Sequence, residues 1–307
     1  PFAAILRSTG NTRLPMLVSV SMLCLNTALN YTLIFGRFGL PALGVQGAAI
    51  GTTTCRILEC LILLSLLYAL RSPAAATPRQ MSFFNLGFLS HHLRLIVLVL
   101  VNEFLWALGV NIYNGMIARL GTSAYAAYNI ATTIQGLGLF FAMGCAVTCA
   151  ILVGQRIGAG KEEEAYLIAR TILMISVAGT FILGLGLAAA RYPLLTLYRV
   201  SEMAAQDASA MLLIAGVTLW LRSLDAMFIL GILRSGGDTR CAALLDVGAI
   251  WLAGIPAVAL AAFVLHLPVQ WVFAAVLVEN LVKNALGLRR FLSRRWVRNL
   301  TQAPAAV

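Results

Sequence analysis

Long apolar runs follow one another along the whole chain, each about the 20 residues a helix needs to cross a bilayer. They fall at 14–36, 44–70, 95–118, 124–153, 165–190, 208–233, 241–265 and 269–292, with the end of another at 2–6. Polar residues, prolines and charges collect in the short breaks between them. The pattern predicts an all-α integral membrane protein with eight complete transmembrane helices and the tail of a ninth.

The breaks contain a repeat. Residues 5–13 read Ile-Leu-Arg-Ser-Thr-Gly-Asn-Thr-Arg and residues 232–240 read Ile-Leu-Arg-Ser-Gly-Gly-Asp-Thr-Arg, so Arg7 falls on Arg234 at an offset of 227 residues. The offset holds onward: Leu40 and Pro41 fall on Leu267 and Pro268, and Arg56 on Lys283. Three spans precede the second copy, so three should precede the first. Equal halves place about 130–140 further residues upstream of the chain. The expectation is a twelve-span parent in two halves of six. Six is even, so the halves enter the membrane alike and their symmetry axis runs along its normal. The expected division is 1–70 as the end of an N-terminal lobe, 71–94 as a cytoplasmic linker, 95–292 as a complete six-helix C-terminal lobe and 293–307 as a basic tail.

Composition agrees: 61% of residues are hydrophobic and 11% charged, against about 25% charged in a soluble domain. The net charge of +11 invites a nucleic-acid reading until the charges are placed. Alternate connections hold 15 of the 22 basic residues, from Arg7 and Arg13, through Arg71 to Arg94, Arg156 to Arg170, and Arg234 and Arg240, to the run Arg289–Arg298. The other connections hold Arg37, Arg119, Arg191 and Arg199 alone. This is the positive-inside bias. It accounts for the charge without nucleic acid and puts both repeat turns and the C-terminus in the cytoplasm. The six cysteines form no Cys-x-x-Cys pair or Cys/His cluster, so neither metal nor disulfide chemistry is expected.

Several motifs together are similar to those of one family. They are the Leu-Arg-Ser-x-Gly-x-Thr-Arg turn in both halves, Leu29-Asn30-Tyr31, Gly39 to Val45 with Gly47-Ala48-Ala49, Ala118 to Gly121 with Ala126 to Asn129, Leu152 to Gly160, and Trp251 with Gly254-Ile255-Pro256. The chain resembles the MATE family (multidrug and toxic compound extrusion), in particular its NorM-like members. The likeness runs from the end of the family's fourth helix to its twelfth, lacking the first three helices and most of the fourth. It implies Na⁺- or H⁺-coupled export of cationic or amphipathic organic compounds by alternating access. It also implies a multi-pass protein of the bacterial inner membrane, functioning as a monomer, with no cofactor and no enzymatic activity. The alternatives are a flippase of the same superfamily for a lipid-linked precursor, and a fragment inactive as it stands.

A charge inside a span costs about 2.5–3.5 kcal/mol on the insertion scale and asks for a reason. Glu103 shares a helical stripe with Trp106, Asn111 and Asn114, which predicts a polar and aromatic face turned to the bundle. Asp225 lies deep in its span, with Arg222 three residues before it as a candidate ion-pair partner. Both carboxylates resemble the family's acidic positions on its seventh and tenth helices, which implies a cation site, and a possible Na⁺, at Glu103 and Asp225. Asn129 is a candidate neutral ligand, and Tyr128 and Arg222 join Trp106, Asn111 and Asn114 as candidate cavity residues. Glu59 with Arg56, and Glu279 with Lys283, have ion-pair spacing and read mainly as architecture. The 157–162 segment departs from a phosphate loop, since Gln155 and Glu162 stand where Gly and Ser or Thr are required.

Overall fold

A computed structural model describes residues 3, 6, 7, 12–37, 39, 41–69, 86–198 and 200–297. Every long element among them is a helix: α1 Arg13–Phe35, α2 Gly44–Ala69, α3 Leu86–Ala118, α4 Thr122–Gly158, α5 Glu162–Ala189, α6 Glu202–Arg234, α7 Thr239–Val264 and α8 Val269–Leu292. Seven of these, all but α3, are long and apolar enough along their described residues to cross a membrane. The remaining expected span, 95–118, lies inside α3. The chain forms two compact units, Pro1–Ser90 and His91–Val307. Most of the expected linker, the first repeat turn and the end of the tail lie outside the described residues.

In the first unit α1 packs against α2. Gly47 and Gly51 let the backbones approach: a methyl at Gly51 would stand 2.7 Å from Asn30 Oδ1. Arg56 and Glu59 form the expected ion pair at 2.8 Å, and Ser19 Oγ donates to Glu59 at 2.8 Å.

In the second unit α4, α5 and α6 pack against one another. Small residues make this possible, as is usual where lipid removes the hydrophobic drive between helices. The buried stripe of α5 is Ala165, Ala169, Ser176, Thr180, Gly184 and Ala188. Gly184 meets Gly216 of α6 backbone to backbone, and Ser176 shares a 2.7 Å hydrogen bond with Ser223. α5 opens on Glu162, Glu163 and Glu164, which suits the positive end of a helix.

The second copy of the repeat forms the α6–α7 turn. Gly237 has φ +89°, a conformation that strains any side chain. Asp238 occupies the N-cap position of α7, but its side chain caps no backbone N–H. Arg290 claims it instead, Nε donating at 2.7 Å and Nη2 pairing at 2.6 Å. An ion pair thus takes the place of an N-cap bond, which a guanidinium makes more strongly than a neutral N–H does. Arg294 pairs with Glu163 and lies 4.4 Å over the Tyr166 ring. The α4–α5 turn, the α6–α7 turn and the end of α8 therefore meet at one end of the unit, as three basic connections on the same side must.

Neither α6 nor α7 is α-helical throughout. Met227–Arg234, Ile250–Gly254 and Leu260–Val264 are π-helical. Such turns recur at functional sites, and here the first two follow the acidic residues Asp225 and Asp246.

Candidate functional site

Lys283 on α8 is 5% exposed and sits between two carboxylates. Its Nζ is 2.6 Å from Glu279 Oε1, one helical turn back, and 2.8 Å from Asp246 Oδ1 on α7. One ammonium cannot neutralise both, so other donors complete the set. The Tyr113 hydroxyl of α3 donates to Glu279 Oε2 at 2.6 Å. Asn102 Nδ2, also on α3, donates to Asp246 Oδ2 at 3.2 Å. Arg234 at the end of α6 reaches Asp246 Oδ2 at 3.7 Å and Glu103 Oε1 at 2.8 Å. Four helices are tied together, and Glu279 and Asp246 each have at least two donors, as burial of charge demands.

Local packing makes room for this. Gly254 of α7 lies against the Tyr113 hydroxyl, and a methyl there would stand 3.1 Å from Glu279 Oε2. Trp251 Nε1 donates to the Leu105 carbonyl at 3.2 Å, holding α7 to α3.

One turn from Lys283 lies a second group. Asn280 donates from Nδ2 to Asp225 Oδ2, and Asn284 donates to the Leu221 carbonyl at 2.9 Å. Leu221 and Asp225 are one turn apart on α6, as Asn280 and Asn284 are on α8, so the two helices face each other in register. Three oxygens of this patch are buried without a hydrogen-bond donor: Asp225 Oδ1, Asn280 Oδ1 and Asn284 Oδ1. Carboxylate and amide oxygens are the donor types that hold a hard cation, and the carboxylate can also take a proton.

The sequence candidates divide between these groups and the open surface. Asp225 joins Asn280, not Arg222; no ion pair forms within α6 between Arg222 and Asp225. Glu103 pairs with Arg234. The face of α3 packed into the unit carries Asn102, Gly109, Tyr113 and Ile117; of the predicted stripe, Glu103, Trp106 and Asn111 are exposed and Asn114 is half-buried. The stripe is thus largely exposed, not packed into the core of its unit. Tyr128 packs edge-on to Phe273, and Asn129 is exposed on α4; no hydrogen bond joins Asn129 to Glu103 or Asp225. The pairing of Glu279 with Lys283 forms as its spacing predicts. Sequence reasoning missed Asp246, Asn280, Asn284, Asn102 and Arg234. Asp246 had a signal, being a carboxylate inside an apolar span. The others had none short of the fold.

Comparison with known proteins places the chain. The family model MatE matches residues 99–272. A probable multidrug resistance protein NorM of Thermotoga maritima is 25% identical over 302 residues, covering 96% of this chain and 63% of that protein. An uncharacterized transporter, YisQ, of Bacillus subtilis is 28% identical over 305 residues, covering 96% and 65%. The chain therefore spans somewhat under two thirds of the length of these curated relatives. Among solved structures, the Vibrio cholerae MATE transporter VcmN in its bent form superposes with a TM-score of 0.79 at 18% identity, covering 95% of this chain and 65% of that one. A MOP superfamily transporter from Pyrococcus furiosus gives 0.82 at 19%, covering 95% and 65%. At these identities the structures speak for the fold, and the family model for the lineage: this chain belongs to the MATE family of membrane transporters.

Proposed function

We propose that this chain is the larger part of a secondary antiporter that exports cationic or amphipathic organic compounds, driven by Na⁺ or H⁺. The observation that carries the proposal is the trio of buried oxygens on Asp225, Asn280 and Asn284 that lack donors. Unsatisfied acceptors inside a membrane bundle are costly, and a site that is filled and emptied in each cycle gives them a reason. Lys283 is engaged by Glu279 and Asp246 and leaves this patch to an incoming ion. Glu103, half-exposed beside Trp106, offers a carboxylate and a ring face to an organic cation or a coupling ion. Residues 95–292 would form one lobe of a two-lobed monomer in the bacterial inner membrane, with the clustered basic turns and the C-terminus in the cytoplasm. Alternating exposure of the ion patch and of the open face of α3 would couple the two fluxes.

The test is efflux of a fluorescent organic cation from proteoliposomes carrying the full-length protein, with Na⁺ and pH gradients imposed separately. Efflux driven by one of the gradients is expected, and Asp225→Asn should abolish the dependence on that gradient. Efflux indifferent to both gradients would end the antiport reading. Gradient dependence that survives Asp225→Asn would move the ion site elsewhere.

A further inference from the structure

We propose that Arg234 is a tethered competitor for the coupling cation at Glu103, the group that displaces the ion from that carboxylate on the basic side of the protein. The inference rests on the antiport reading above and adds a residue and a role to it.

Glu103 is the member of the charge network that open space reaches. Its side chain is 50% exposed, against 11% for Asp246 and 8% for Glu279. It is the least buried of the three carboxylates and so the one an incoming ion reaches first. Yet Arg234 Nη1 already holds its Oε1 at 2.8 Å. A cation or proton can take Glu103 only if the guanidinium gives way.

Arg234 has somewhere to go. Its Nη2 faces Asp246 Oδ2 at 3.7 Å, a loose contact that can close. Leaving Glu103 therefore does not strand a charge in the membrane, which would otherwise cost several kcal/mol. Lys283 cannot act in this way, because it is buried between Asp246 and Glu279.

The backbone of Arg234 is fixed while its side chain is shared. The turn that follows is closed by Asp238 N–H on the Leu233 carbonyl at 2.9 Å and held by Arg290 on Asp238. The moving part is the guanidinium. Lys283 and Arg234 stand against Glu103, Asp246 and Glu279, with Tyr113 and Asn102 as neutral donors. One negative charge is in excess, so one monovalent cation or one proton balances the group.

The experiment measures the apparent affinity for Na⁺ and for H⁺ in driving efflux from proteoliposomes of the full-length protein. Arg234→Gln should tighten the affinity for the coupling ion by up to about fivefold, the weight of a half-exposed ion pair, and slow turnover because release loses its competitor. Arg234→Lys keeps a tethered cation and should stay within about twofold of the wild type. Combining Arg234→Gln with Glu103→Gln should remove the gain in affinity. An Arg234→Gln protein that elutes as a folded species and loses turnover with affinity unchanged or weakened would make Arg234 a structural strut and overturn the proposal. Absence of any ion dependence in the wild type would instead sink the antiport reading beneath it.

Discussion

The indole of Trp296 lies directly over the α-carbon of Gly236, in the space a side chain there would need. Trp296 is fully buried, stacks on Phe291 and donates from Nε1 to the Phe291 carbonyl at 3.2 Å. The glycine of the second repeat turn is thus explained by the segment after α8, which closes over it. Gly236→Ala should cost about 1–3 kcal/mol through overpacking. Trp296→Ala should cost about 3–5 kcal/mol. Thermal unfolding of the purified protein in detergent measures both, and equal stability of Gly236→Ala and wild type would contradict the contact.

Lys283→Met leaves Asp246 and Glu279 without their shared ammonium. Breaking a buried pair in this way costs about 3–5 kcal/mol, so the variant should unfold well below the wild type. Adding Asp246→Asn and Glu279→Gln removes the stranded charges and should recover most of the loss. Failure of the triple variant to recover would mean that Lys283 acts through packing and not through charge.

Gly184 and Gly216 set the distance between α5 and α6. Valine at either position would drive its side chain into the facing backbone, with an expected loss of about 1–3 kcal/mol. Gly186, two residues from Gly184 with open space around it, is the control, and Gly186→Ala should stay within about 0.5 kcal/mol. Comparing unfolding midpoints of the three variants checks the assignment.

The Ser176–Ser223 hydrogen bond joins the same two helices. A double-mutant cycle to alanine should return a coupling of about 0.6 kcal/mol, and at most about 1.7, as such bonds do inside membranes. A coupling of zero would show that the packing, not the bond, holds this contact.

The spans were legible because lipid imposes one strong condition, an unbroken apolar stretch. The run 208–233 falls inside α6 and 241–265 matches α7 to within two residues at the start. The i,i+4 pairing of Glu279 with Lys283 was legible for a related reason, since helical periodicity alone brings them together. The third partner, Asp246, is 37 residues from Lys283, and no periodicity reports a contact between helices. The face of α3 was harder still. Asn102 and Glu103 are neighbours of similar polarity, and only the packed structure tells that Asn102 points inward to Asp246 while Glu103 turns out to Arg234. The asparagines of α8 were silent in sequence because a lone amide in a span is usually interhelical glue. They gain meaning only from their place opposite Asp225.

Between Asp225 and Arg234 the helix runs as π turns, with hydrogen bonds reaching one residue further than in an α-helix. Such a stretch stores a residue of slack. Winding one residue of it back into α-helical register would turn everything beyond it by about 100° and advance it by about 1.5 Å. The ion patch and the Arg234 guanidinium lie on either side of that slack. With the α6–α7 turn pinned by Arg290 on Asp238, that slack stays stored, and the arginine keeps its height and angle relative to the aspartate for as long as the pin holds.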